Sequence, residues 1–469
     1  MGDPIWQWGA ARTAAAIRAG EVSAAEVCEA HLERLEAANP AVNAVVRALP
    51  DEARAQAAAV DAARAAGLAL GPLAGVPVTI KVNVDLKGHP NSNGVPAMAN
   101  LIAPEDSPVA RNLRRAGAVV LGQTNTPEFS MRAHTVNPLY GETLNPWDAA
   151  ASCGGSSGGA GAATALGIGC IGHGNDIGGS LRIPALCNGI ATVKPTQGRI
   201  PAFNPSGAAE RPMIAQMMST QGPLARSVAD VRLGLAAMAA RDARDPFQVP
   251  APLEGPAVAR RVAVARHPAG YEVHPEVAAA VRRAADALAD AGWEVTEVET
   301  PDIAGAWACW ADLLINEMDA MAGEAMLAAT GEEFHRVWDS YRAFSRRLDL
   351  KGYLSAMAER ATRLRAWLAF LEDWPVLLTP ASLAPLFDRG ADAVSAEATK
   401  RLFSHDLCWI AIFNMLGLPG AVVPVGMAGG RPTGVQLVAS RYREDVALAA
   451  AEAVEARVGP LVPQLWARG

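Results

Sequence analysis

Two serines stand in glycine-rich turns 24 positions apart: Ser156 lies within Gly154-Gly155-Ser156-Ser157-Gly158-Gly159, and Ser180 follows Ile177-Gly178-Gly179. An alcohol attacks a carbonyl only when a base takes its proton and donors receive the oxyanion. Glycines beside Ser180 let the backbone adopt left-handed conformations and let a substrate approach the amides of Ile177, Gly178, Gly179 and Ser180. Each donor removed from such a hole costs about 3–4 kcal/mol in the transition state. Ser180 is therefore the candidate nucleophile. A glycine-serine run standing alone reads as a tether. Here the residues from Gly158 to Gly172 are almost all small or apolar, which suits a helix packed tightly on a sheet and then a short buried strand.

The candidate base is Lys81. Val76 to Ile80 read as a short buried strand that ends on this lysine. A surface lysine that snorkels is the commoner case, but an apolar run leading into the residue argues for burial. Burial disfavours the ammonium and lowers the pKa, so the amine can accept a proton. Ser156 can relay that proton, because a hydroxyl both donates and accepts. His173 is a second candidate base, read as structural because the lysine already serves.

These residues resemble the amidase signature family, whose members hydrolyse or transfer amides with a Ser-Ser-Lys triad. The likeness spans nearly the whole chain. It includes Pro104 to Pro108, Arg115 to Phe129, Asn145-Pro146-Trp147, Arg182 to Ala185, Lys194-Pro195-Thr196, Gly198 to Pro201, Gly222 to Asp230, Phe413-Asn414, Gly417 to Gly420 and Pro432 to Gln436. The resemblance implies that Lys81, Ser156 and Ser180 are catalytic and that a cis peptide bond precedes Ser156. It also implies that Ile177, Gly178 and Gly179 form the oxyanion hole, with Ser157, Asp176 and Arg182 in support. Asp176 and Arg182 can hold the oxyanion loop by a charge-assisted hydrogen bond. Two positions depart from the family pattern. Val82 replaces the usual Asp after the lysine, which removes a charge beside Lys81, and Asn175 replaces a Thr whose donor and acceptor roles it can keep.

With 469 residues, 51% hydrophobic and 19% charged, the chain can bury a large core, and 43 glycines and 33 prolines punctuate its loops. Length alone allows several domains, yet no long polar, glycine-serine or like-charge run separates them. The expectation is one α/β domain with a central mixed, twisted sheet covered by helices on both faces. Within it we expect an N-terminal helical segment (1–66), a catalytic core (67–235), a variable helical pocket region (236–380) and a C-terminal return to the sheet (381–469). A net charge of −7 without basic clusters gives no support for nucleic-acid or anionic-membrane binding. The start shows no basic n-region with an apolar h-region, and no run of about 18 large apolar residues suggests a span, so a cytoplasmic protein is expected. Six scattered cysteines never form a Cys-x-x-Cys pair, and eight histidines lack ligand spacing. No metal or cofactor is expected; the partner is a small amide, and a homodimer is allowed.

The elements that must position these residues alternate. Ala10 to Ala38 reads as two helices broken near Gly20, the second opened by the capping box Ser23-x-x-Glu26. Then follow a helix over Asp51 to Ala66, the strand into Lys81, a helix near Val109 to Ala116 and a strand over Ala118 to Leu121. Ile303 to Trp374 reads as helical, interrupted at Gly352-Tyr353. Family likeness makes such helices an acyl pocket, so Trp307, Trp310, Met318, Met321, Trp338 and Tyr341 are candidates for setting substrate size, beside the ordinary alternative of core packing. Ser130, Met131, Trp310 and Trp338 are the expected substrate contacts. The reading is an amidohydrolase for a small or arylalkyl apolar amide. The alternatives are the amidase subunit of a glutamine-dependent tRNA amidotransferase and a non-catalytic binding protein on the same scaffold.

Overall fold

A computed structural model describes residues 3–268 and 270–468. Its frame is an eleven-stranded mixed sheet. In chain order the strands are β1 Val45–Ala48, β2 Pro77–Lys81, β3 Val119–Thr124, β4 Val136–Asn137, β5 Gly141–Glu142, β6 Ile171–Asp176, β7 Ala191–Lys194, β8 Thr220–Ala225, β9 Arg261–Val264, β10 Glu294–Glu297, β11 Val376–Pro380, β12 Gly420–Ala428 and β13 Arg431–Ala439. Strands β4 and β5 form a separate hairpin; the others run β1-β3-β2-β6-β8-β7-β12-β13-β11-β9-β10. The pairs β2–β3, β2–β6, β9–β10 and β9–β11 are parallel and the remainder antiparallel. Among the described residues no helix is long and apolar enough to cross a membrane.

Strand periodicity shows why both faces are covered. Along β13, Val435, Leu437 and Ala439 belong to one apolar cluster and Val438 to another, because alternate side chains point to opposite faces. Helices close both sides, so the sheet is a single buried layer inside one α/β domain. The same alternation along β2 sends Val78 and Ile80 into one core. It leaves Lys81, the strand's last residue, on the opposite face. Strand β6 lies beside β2 in parallel, with Thr79 opposite Gly172, so Lys81 and the end of β6 meet at the same edge of the sheet.

The helices begin where side chains satisfy their first N–H groups. Ser23 and Glu26 make the reciprocal capping box of Ala24–Val42, and Gly20 closes Ala10–Ala19 in the left-handed region. The helical region after Ile303 differs from expectation in where it breaks. The gap before its last helix runs from Ser345 to Asp349, and Gly352 lies in the first turn of Leu350–Asp373, where its N–H is capped by Asp349. An aspartate three residues before a glycine supplies a stronger start than the Gly-Tyr pair supplies a stop.

The helix Gly158–Ala165 is built from small residues because it touches backbone. A Cβ on Gly159 lies 2.4 Å from the Asn125 nitrogen and 2.6 Å from the Ala44 carbonyl oxygen. We expect Gly159→Ala to lower unfolding free energy by about 1–3 kcal/mol, since backbone cannot yield as a flexible side chain does. Chemical denaturation checks this; an unchanged midpoint contradicts the close approach.

Candidate active site

Lys81 is wholly buried, and its Nζ lies 2.7 Å from Ser156 Oγ, 2.9 Å from Asn175 Oδ1 and 3.1 Å from Ser157 Oγ. Two of these atoms receive hydrogen. The Asn175 amide oxygen can only accept, and Ser157 Oγ spends its own proton on the Asn175 carbonyl at 3.4 Å. A neutral amine has two N–H groups and one lone pair. The two N–H groups go to Asn175 and Ser157, and the lone pair is left for the Ser156 hydroxyl. Burial drives the Lys81 pKa well below the ordinary lysine value, only partly opposed by the charge of Asp176.

His173 takes no part in that set. Its Nδ1 faces the backbone N–H of Lys81 at 3.4 Å, and its Nε2 donates to Gln221 Oε1 at 2.8 Å. Burial, with the nearby Lys81, lowers its pKa to about 4 against the Gln221 bond, so the ring is a neutral strut beneath Lys81. Asn83, which no sequence motif singles out, joins the site. It exchanges hydrogen bonds with Asn175, at 2.9 Å and 3.2 Å, and reaches Ser130 Oγ at 2.9 Å. Asn83 lies in the turn that follows β2, closed by the Val84 N–H on the Lys81 carbonyl at 3.1 Å, so strand alternation does not point to it. Val82, between them, is buried and apolar.

Ser180 keeps 9% of its surface exposed, while Ser156 and Ser157 are at 1% or below, so of the three serines Ser180 meets solvent most. The Gly155–Ser156 peptide is cis. Ser180 and the residues before it form a loop tied from beneath. Asp176 accepts from the N–H groups of Gly179 at 2.7 Å and Leu181 at 3.1 Å, and from Arg182 Nε and Nη2, each at 3.0 Å. Gly179 therefore departs from its expected oxyanion role. Its N–H is spent on a carboxylate, and the residue lines neither cavity described below. The N–H groups of Ile177, Gly178 and Ser180 have no partner among the described residues, and all three residues line a cavity. Gly179 has φ of +120°, and a Cβ there meets Ile410 Cγ2 at 2.4 Å, so its glycine serves the turn.

Arg182 is fully buried, and every one of its five N–H groups is used. Besides Asp176 they reach the Ile410 carbonyl and Gln436 Oε1, each at 2.8 Å, and Asn414 Oδ1 at 2.6 Å. Burial alone raises the Asp176 carboxyl, but the charges of Arg182 and Lys194 and the Asn414 amide hold it below its ordinary value.

Two cavities meet at Ser180. One, of about 640 Å³, is also lined by Ser156, Asn83, Phe129, Met131 and Met318. The other, of about 40 Å³, lies against Gly155, Gly178, Trp310, Tyr341 and Phe403. Of the expected contacts, Ser130 and Met131 line both, and Trp310 lines the smaller while its Nε1 holds the Ile177 carbonyl at 3.0 Å. Trp338 is not brought there: it is buried, stacked on Phe334, with its Nε1 on Asp319. Trp307 packs against Trp310 and Phe344, and Met321 faces solvent at 64% exposure, so neither lines the site. Tyr341 does, and its hydroxyl donates to the Met131 carbonyl at 2.7 Å. Phe129 and Ser130 have positive φ, a conformation held here by Ser130 Oγ against Thr126, Asn93 and Asn83.

The profile of the family described as Amidase matches residues 26–448. Indoleacetamide hydrolase of Bradyrhizobium diazoefficiens is 57% identical to this chain, over 99% of this chain and 89% of that protein. A glutamyl-tRNA(Gln) amidotransferase subunit from Salinispora arenicola is 33% identical, over 97% and 98% respectively. The solved structure of 6-aminohexanoate cyclic dimer hydrolase complexed with substrate superposes with a TM-score of 0.81 at 29% identity, covering 98% of this chain and 100% of that one.

Asp176→Asn leaves the five-donor guanidinium buried without its counter-charge. We expect a loss of about 3–5 kcal/mol in unfolding free energy. Equilibrium denaturation at neutral pH measures it, and wild-type stability in the variant refutes the claim that this pair anchors the loop.

Proposed function

The chain belongs to the amidase family and is an amide hydrolase; we propose that it releases ammonia from arylalkyl primary amides through an acyl-enzyme on Ser180. The observation that carries the catalytic assignment is the placement of Lys81 Nζ, fully buried, 2.7 Å from Ser156 Oγ and without a carboxylate in salt-bridge distance among the described residues.

In the forward step the Ser180 hydroxyl proton passes to Ser156 Oγ as the Ser156 proton passes to Lys81 Nζ, and Ser180 Oγ bonds to the amide carbon. The carbonyl electron pair becomes an oxyanion received by the N–H groups of Ile177, Gly178 and Ser180. The new ammonium on Lys81 is stabilised by the charge of Asp176. As the tetrahedral species collapses, the C–N bond breaks, Ser156 protonates the leaving nitrogen, and Lys81 restores the Ser156 proton. Water then repeats the relay against the acyl-enzyme, giving the carboxylic acid and free Ser180.

The substrate reading rests on the 57% identical relative, whose name specifies indoleacetamide, and on the apolar side of the larger cavity. Phe129, Met131, Ile177, Leu314 and Met318 line that cavity near Ser180. A dry cavity that accepts benzene measures about 150 Å³, so the 640 Å³ space admits an aryl group and the 40 Å³ pocket does not. The likeness to the amidotransferase is weaker, at 33% identity.

Three outcomes are expected with indole-3-acetamide as substrate and ammonia release as the readout. Ser180→Ala retains the fold and loses turnover. Lys81→Arg is inactive at every pH, because a guanidinium does not deprotonate. In the wild type kcat/KM rises with pH as Lys81 sheds its proton and levels off below the ordinary lysine range; His173, neutral above about 4, does not produce that limb. Activity of the Lys81→Arg variant refutes the base assignment, and turnover of glutamine alone moves the function to the amidotransferase class.

A further inference from the structure

Ile177 and Gly178 share one peptide of the loop before Ser180, and that peptide has a single tether. Among the described residues the Ile177 carbonyl accepts only from Trp310 Nε1, at 3.0 Å, and the Gly178 N–H has no partner. The rest of the loop is held separately. Asp176 takes the N–H groups of Gly179 and Leu181, so its pair with Arg182 does not fix the peptide between Ile177 and Gly178.

Glycine makes such a tether necessary. Gly178 lacks the Cβ that confines an ordinary residue, so the peptide before it can turn over about its flanking bonds with little steric penalty. The Ile177–Gly178 peptide is trans, and its C=O and N–H therefore point in opposite directions. Holding the carbonyl on the indole aims the Gly178 N–H away from it. A turned-over peptide would present an oxygen where oxyanion stabilisation needs a donor.

Trp310 is itself fixed. It lies on the helix Ile303–Met318, is buried, stacks on Phe403 with ring centres 6.4 Å apart and meets Trp307 from the preceding turn at 6.3 Å. The ring also closes on the loop, because a Cβ on Gly178 would lie 2.7 Å from Trp310 Cζ2. Gly178 and Trp310 thus fit as a pair, the missing side chain making room for the indole that holds the peptide. Both line the smaller cavity beside Ser180, and its 40 Å³ takes no aryl group, so the indole acts on the loop and not on the acyl half.

Resting on the reading of a Ser180 acyl-enzyme, we infer that Trp310 is a positioning residue for the oxyanion hole: its indole N–H locks the Ile177–Gly178 peptide with the Gly178 N–H turned toward the developing oxyanion. The helical region after Ile303 thereby contributes to the transition-state site without touching the reacting atoms.

The test removes the indole N–H and keeps a ring. Two forms of the chain serve: Trp310→Phe, and one carrying 3-benzothienylalanine at position 310, whose sulfur stands where the N–H was. In both, ammonia release from indole-3-acetamide is expected to fall about tenfold or more in kcat, with KM within about twofold of wild type. The rising limb of kcat/KM with pH keeps its midpoint, because Lys81 and Ser156 are untouched. Indole-3-acetaldehyde, whose carbonyl carbon bonds to Ser180 Oγ and places its oxygen in the hole, is expected to bind about tenfold or more weakly. The benzothienyl form keeps the indole's shape, so a packing defect in Trp310→Phe does not decide the outcome. Wild-type kcat in the benzothienyl form overturns the inference, since the ring then suffices without its N–H. A rise in KM with kcat kept, or unchanged affinity for the aldehyde, also overturns it and makes Trp310 a wall of the pocket. Absence of Ser180-dependent turnover in the wild type is a distinct result, which sinks the underlying reading and the inference with it.

Discussion

The Asp176–Arg182 pair is the constraint on which the site depends. A guanidinium and a carboxylate at 0% side-chain exposure persist only if every lone pair and proton finds a partner, and here Arg182 meets that demand with five acceptor atoms, two on nearby Asp176 and three from two distant segments. Gln436 comes from β13, Asn414 and Ile410 from the Cys408–Met415 helix, and Asp176 from the end of β6. The loop carrying Ser180 is thus pinned to the centre of the sheet. Its geometry is set before any substrate arrives, which is what oxyanion stabilisation requires.

Beside that charged anchor, Lys81 lives by the opposite rule. It has no carboxylate within salt-bridge distance among the described residues, and its three neighbours are neutral. Burial without a counter-charge favours the free amine, and the hydroxyls and amide around it are counted out so that one lone pair faces Ser156. One buried cation is paired to hold shape and another is left unpaired to hold a proton when needed. Two side chains on neighbouring segments are given different work by their partners alone.

Much of this was legible in the residues. The two glycine-flanked serines, the strand ending on Lys81, the capping box at Ser23 and the small-residue helix after Ser157 all lie where local pattern puts them. What local pattern missed comes from long-range register. Gln436 reaches Arg182 because β13 alternates faces beside β11 and β12, and Gly179 loses its oxyanion role because Asp176, three residues earlier, turns back to take its N–H. Trp338 and Trp307 carry the same helical signal as Trp310, yet only Trp310 faces the Ser180 loop. Periodicity gives a helix its apolar face but not which turn of that face opens on a cavity. The Asn83–Asn175 exchange likewise depends on β2 and β6 ending together.

The most direct test is the ionisation of Lys81 itself. The chain has only five lysines, so selective isotopic labelling at the lysine ε position resolves them by NMR, with the resonance missing from Lys81→Arg identifying the one in question. The account predicts a Lys81 signal that titrates well below the exposed lysines and that matches the rising limb of kcat/KM. A Lys81 that stays protonated through the pH range in which the enzyme gains activity contradicts it.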